Sequence, residues 1–184
     1  MMGYVISVVY LLRNYFSSSW PILRRWQTWL SIIVTILASF GYMILYQLLR
    51  LPYPTNQANE NHMMSQVVHF PVLNVLYLLT VILVVPVAEE LVFQYYFQRI
   101  FFPTLLRRFN QRYAQLGAIV GASLLFMLWH VVGETGHLGT DFSQLFAYGD
   151  LLFYAILFAF SKQNILPVCI VHILWNLMGT LLAN

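Results

Sequence analysis

Residues 84–99 read VVPVAEELVFQYYFQR, an apolar run carrying two adjacent carboxylates, Glu89 and Glu90. In water such a pair would mark the end of a helix. In hydrocarbon each carboxylate costs several kcal/mol unless it pairs, takes up a proton or meets water. Composition decides between the two solvents. The chain has 184 residues, 60% apolar and only 8% charged, against about 25% charged in a soluble domain. Its apolar residues gather in blocks of roughly 18 to 30, the length a helix needs to cross ~30 Å of hydrocarbon. The fold class is therefore all-α, a polytopic transmembrane helix bundle.

Working outward, residues 1–26 mix Arg13, Arg24 and Arg25 with Trp20, Trp26, Pro21 and a Ser17-Ser18-Ser19 break. Arg and Trp at this density suit the membrane interface. About five spans follow: Thr28 to Leu49, Pro71 to about Phe102, Ala114 to Val132, about Leu145 to Phe160, and Ile165 to about Leu182. The second is too long for one untilted crossing and holds Pro86, so a tilt, a kink or a protruding end is expected. The polar loop LRLPYPTNQANENHMMSQ, the connector RRFNQR at 107–112 and the loop ETGHLGTDFSQ, with Glu134 and Asp141, join the spans. The whole chain, 1–184, reads as a single membrane domain without repeats, and no cleavable signal peptide is expected.

The nine basic residues are scattered rather than gathered into a groove, so no nucleic-acid partner is expected. A cytoplasmic N-terminus puts Arg13, Arg24, Arg25, Arg99, Arg107, Arg108, Arg112 and Lys162 inside and only Arg50 outside, in accord with the positive-inside rule. The single Cys169 excludes an intrachain disulfide. It lies in an apolar run and reads as packing, as Ser123 reads as a small helix-contact residue. His62, His69 and His137 fall in loops and take no role.

Three spans each carry buried polar groups. Glu89 and Glu90 stand about 100° apart around a helix, so different jobs are expected of them. Glu90 and Gln94, four apart, are expected to hydrogen-bond along the helix, leaving Glu89 to face the bundle interior. SLLFMLWHVVG places His130 four residues after Phe126, and CIVHILWNLMG places His172 and Asn176 four apart on one face. A lone histidine in an apolar helix is usually a hydrogen-bonded core residue. Three such clusters on three spans point instead to one shared site.

Glu-Glu-x3, then Phe-x3-His, then His-x3-Asn, each on its own helix, resembles the CPBP family of intramembrane proteases, the CAAX proteases and bacteriocin-processing enzymes also called Abi. The resemblance covers residues 70–182, through PVAEELVF, LLFMLWH and NILPVCIVHILWN. It implies catalytic roles for Glu89, His130, His172 and Asn176, with Glu90, Gln94 and Phe126 in support. One position departs from the pattern: the family motif ends in Arg where this chain has Gln94. Arg99, about half a turn round the helix from Glu90, does not replace it. Glu90 thus lacks its usual cation and is left protonated or held by Gln94 alone.

Peptide hydrolysis needs an activated water, a stabilised oxyanion and a proton for the leaving amine. The resemblance implies Glu89 as general base, His130 and His172 as water-orienting groups or metal ligands, and Asn176 as oxyanion donor. His130, His172 and Glu89 together would form a known zinc set. A metal-free, glutamate-activated water is the other form of the mechanism, and both stay open. The implied partners are the lipid bilayer and a membrane-associated peptide or lipidated protein, in a bacterial plasma membrane. The alternative is a non-catalytic bacteriocin-immunity or peptide-binding membrane protein on the same scaffold, which Gln94 favours. A proton-coupled transporter is disfavoured by the lack of a repeat.

Overall fold

The computed structural model describes residues 10, 13–51, 71–106, 111–135 and 143–182. The connector arginines Arg107 and Arg108, the loop histidines His62, His69 and His137, and Asp141 lie outside them, as do the side chains of Arg112 and Glu134. Among the described residues every regular element is helical. A short α1 (Arg13–Ser19) and a 3-10 turn (Trp20–Arg24) lead into α2 (Trp26–Leu48). A long helix α3 follows, with its pieces running from Pro71–Leu79 to Phe102–Leu105. Then come α4 (Gln111–Thr135), α5 (Ser143–Ala147), α6 (Leu151–Phe160) and α7 (Ile165–Leu182).

Burial on α2 follows an inverted pattern. Its buried positions are Thr28, Ile32, Thr35, Ser39 and Tyr46, while Leu30, Ile33, Val34, Leu37, Ile44 and Leu45 are exposed. Apart from Ile32 and Tyr46, the groups that face protein are small hydroxyl side chains, while most large apolar ones face outward, because hydrocarbon surrounds the bundle and small residues let helices approach. The chain is an integral membrane protein. Among the described residues three helices, Trp26–Leu48, Val72–Leu105 and Tyr113–Val132, are long and apolar enough to cross a membrane. Two of the five expected spans are shorter. The fourth divides at Tyr148–Asp150, leaving the ten residues of α6, about 15 Å of helix against ~30 Å of hydrocarbon. At that break an added Cβ on Gly149 would collide with the Tyr42 hydroxyl, which donates to the Phe146 carbonyl. A larger residue at Gly149 would require the Tyr42 ring to shift.

The long α3 is roughly 50 Å from end to end at ~1.5 Å per residue, and Pro86 sits within it. The proline is accommodated by a π-helical stretch, Thr80–Val84, immediately before it, and a second π stretch runs Leu91–Phe101 after Glu90. π turns are uncommon and recur at functional sites. Helix α4 packs on the second π stretch and on α6, while α7 packs on α2, α3 and α6. The core lies among them, with Phe126, Phe158, Ile165, Val168 and Val171 fully buried. The Phe93 ring stacks on Phe126 at 4.2 Å. Gly117 and Gly121, four apart on α4, receive Leu106 and the Phe102 ring, with 2.8 and 2.7 Å to a built Cβ.

The N-terminal segment is tied to the α6–α7 turn. Tyr15 Oη donates to the Gln163 carbonyl at 2.6 Å and accepts from the Ile165 N–H at 3.1 Å. Asn164 Nδ2 donates to the Ser19 carbonyl at 3.0 Å. Burial raises the Tyr15 hydroxyl above the ordinary phenol value. The Arg99 guanidinium lies over the Tyr15 and Tyr95 rings, 4.8 and 5.2 Å from their centroids. Arg99 is therefore committed to this end of the bundle and does not stand in for a cation at Glu90.

Candidate active site

His172, 4% exposed on α7, meets both carboxylates of α3. Its Nδ1 is hydrogen-bonded to Glu90 Oε1 at 2.8 Å, and its Nε2 lies 3.6 Å from Glu89 Oε2. The about 100° between adjacent residues is bridged because the imidazole offers one nitrogen to each. Glu90 is fully buried, whereas the Glu89 side chain keeps 16% of its surface exposed. The two glutamates differ, but the inner group is Glu90, whereas helical spacing leaves Glu89 to face the interior, and Glu89 is the more exposed of the pair.

Gln94 does not bond Glu90 as the helical spacing suggests. Both amide atoms of Gln94 and the second oxygen of Glu90 are buried with no hydrogen-bond partner among the described residues. The i, i+4 rule presumes an α-helix, and α3 widens into its π stretch at Leu91. Glu90 has also spent Oε1 on His172. Gln94→Arg would put a guanidinium beside that unpartnered oxygen, and a hydrogen bond to a charged group is worth about 1.5–3 kcal/mol. The variant is expected to melt at higher temperature in detergent. A lower melting temperature would show that α3 has no room for the cation.

His130 lies near the end of α4, with Nδ1 3.1 Å from the Phe126 carbonyl. A carbonyl only accepts, so Nδ1 carries the proton and Nε2 of the neutral ring is an acceptor. The Phe126 ring stands between the histidines, 5.0 Å from His130 and 6.0 Å from His172, centroid to centroid. Asn176 shares the His172 face of α7, but its Nδ2 donates to the Val81 carbonyl in the first π stretch, at 3.1 Å. Two tyrosines that spacing alone did not flag complete the surroundings. Tyr154 packs edge-on against His172 at 5.4 Å and Tyr148 lies 4.9 Å from His130. The one sign of Tyr154 in the sequence is its hydroxyl in the otherwise apolar LLFYAILFAF. Cys169 and Ser123 are buried, the latter bonded to Ile119 O of its own helix. Trp175 packs on Phe40.

Among the described residues no three His, Cys, Asp or Glu side chains gather closely enough to hold a metal ion. His130 lies across Phe126 from His172, so the three members of the expected zinc set, His130, His172 and Glu89, are not gathered among the described residues.

An integral membrane bundle with a histidine clamped between two carboxylates deep in its helices is the class that fold and site define. The chain belongs to the family described as type II CAAX prenyl endopeptidase Rce1-like, whose model matches residues 71–178, more than half of its length. The match opens at the start of α3 and closes in α7, so it contains Glu89, His130, His172 and Asn176. No curated protein and no solved structure matches the chain.

Proposed function

We propose that the chain is an intramembrane endopeptidase that hydrolyses a peptide bond in a membrane-associated peptide or lipidated protein. The first substrate class to test is the prenylated CAAX C-terminus, on the strength of the family. The observation that supports this reading best is His172 held between Glu90 and Glu89. With Nδ1 committed to Glu90, Nε2 is directed toward Glu89, so an acceptor nitrogen and a carboxylate face the same point, where a water can donate to either. In this reading Glu89 takes the water's proton as its oxygen attacks the scissile carbonyl carbon. It then returns that proton to the amine nitrogen as the C–N bond breaks. His130 offers Nε2 from across Phe126 to hold the substrate or water. Asn176 keeps a second amide N–H for the oxyanion, since Val81 takes only one.

The same reading puts the N-terminus in the cytoplasm of a bacterial plasma membrane. It is supported by the meeting of α1, Arg99 and the turn after Lys162 at one end of the bundle.

The test is cleavage of a prenylated CAAX reporter peptide by the purified protein in liposomes, read by product mass, with and without a chelator. Cleavage is expected and should survive chelation, because the three groups of the zinc set are not gathered. Loss on chelation with recovery on added zinc would restore His130, His172 and Glu89 as ligands. Binding of the peptide without cleavage would favour the peptide-binding or immunity reading, which Gln94 supports by leaving Glu90 without a cation.

A further inference from the structure

We propose that Pro86 and Asn176 form a backbone latch: the proline frees the carbonyl of Val81 in α3, and the Asn176 amide closes it, fixing the register of α7 on α3. The observation is a count of donors. The Val85 N–H bonds to the Thr80 carbonyl, five residues back. In that register the Val81 carbonyl would be closed by the N–H of residue 86, and proline has none. The donor it would take in an α-helix, the Val85 N–H, is already engaged. An unpaired carbonyl in an apolar interior is costly, and within a membrane no bulk water is at hand to satisfy it. Asn176 Nδ2 donates to this carbonyl at 3.1 Å, from a helix that packs on this part of α3.

The placement gives the latch a consequence. Pro86 precedes Glu89 and Glu90 by three and four residues, and Asn176 follows His172 by four. The latch and the His172 contacts are thus two ties between the same two helices, about one turn apart on α7, from Asn176 to His172, and about two turns apart on α3, from Val81 to Glu89 and Glu90. A slip of α7 along α3 would break both. The latch acts through Asn176 as a positioning residue, uses one amide hydrogen, and holds whether or not the site cleaves a peptide.

The test compares melting temperatures in detergent for Asn176→Leu, Pro86→Ala and the double variant. Asn176→Leu is expected to lower the melting temperature by about 2–4 °C in the proline background, as loss of one such bond implies. It should do so by much less in the Pro86→Ala background, where the restored N–H takes the Val81 carbonyl. Loss of general packing would give the same drop in both, and that result overturns the proposal. A second measurement needs no change at Pro86: infrared difference spectra of protein labelled with ¹³C at valine carbonyls. One carbonyl band should move to the frequency of an unbonded group in Asn176→Leu, and an unchanged band would overturn the latch.

Discussion

Glu89→Gln is expected to lower kcat for reporter cleavage by about 10²–10⁴-fold, the range a positioned general base contributes, while leaving the melting temperature nearly unchanged. Glutamine matches the shape of glutamate and can still meet His172 Nε2 through its amide, but it cannot take a proton from water. The two halves of the expectation come from different observations. The loss of rate follows from Glu89 being the more exposed carboxylate, facing His172 Nε2. The retained fold follows from the matched shape of glutamine at a side chain that keeps some exposure. The measurement is single-turnover cleavage in liposomes beside a thermal melt in detergent. A Glu89→Gln variant that cleaves at the wild-type rate would remove Glu89 from the chemistry and leave the carboxylates as structural groups.

The membrane class was legible because it rests on quantities that need no geometry: a low charged fraction and apolar blocks of spanning length. The bounds of α2 and α7 followed from the same blocks. The division of the fourth span did not, because the turn at Tyr148–Asp150 lies where Gly149 packs against Tyr42 of a distant helix. Such contacts have no local signature.

In the site, helical spacing correctly put His172 and Asn176 on one face, and it failed at Glu90 and Gln94. Both outcomes share a cause. The i, i+4 rule holds in α7, which is regular, whereas α3 leaves α geometry twice, before Pro86 and after Glu90. The proline was visible in the sequence, and with it the prospect of a distorted helix. What was not visible is how the distortion is resolved, with the Val81 carbonyl turned to a side chain 95 residues further along the chain. Nor could spacing show that one imidazole would take both glutamates, since that depends on where α7 crosses α3. The oxyanion role implied for Asn176 is narrowed by the same geometry to one of its two amide hydrogens.

Glu90 offers the second large effect. Its Oε1 holds His172 Nδ1 at 2.8 Å while Oε2 has no partner among the described residues, so its substitutions separate stability from orientation. Glu90→Leu removes the acceptor of His172, and a buried donor left unpaired costs about 1–3 kcal/mol. It also removes the unpartnered Oε2, which offsets much of that loss, so the net change in stability should stay below about 2 kcal/mol. Catalysis has no such offset. With Nδ1 released, neither the tautomer nor the ring plane of His172 is fixed, and loss of a partner that orients a site histidine typically lowers activity by about 10–100-fold. Glu90→Gln keeps an amide oxygen to accept from Nδ1–H in a side chain of the same shape. Most of the activity should therefore return in that variant. The expected order of kcat is wild type, then Glu90→Gln, then Glu90→Leu, with KM nearly constant because Glu90 is fully buried and does not reach a substrate. Equal loss in both variants would mean that the charge of Glu90, rather than its hydrogen bond, sets the state of His172. In that event the inner glutamate would belong to the chemistry alongside Glu89.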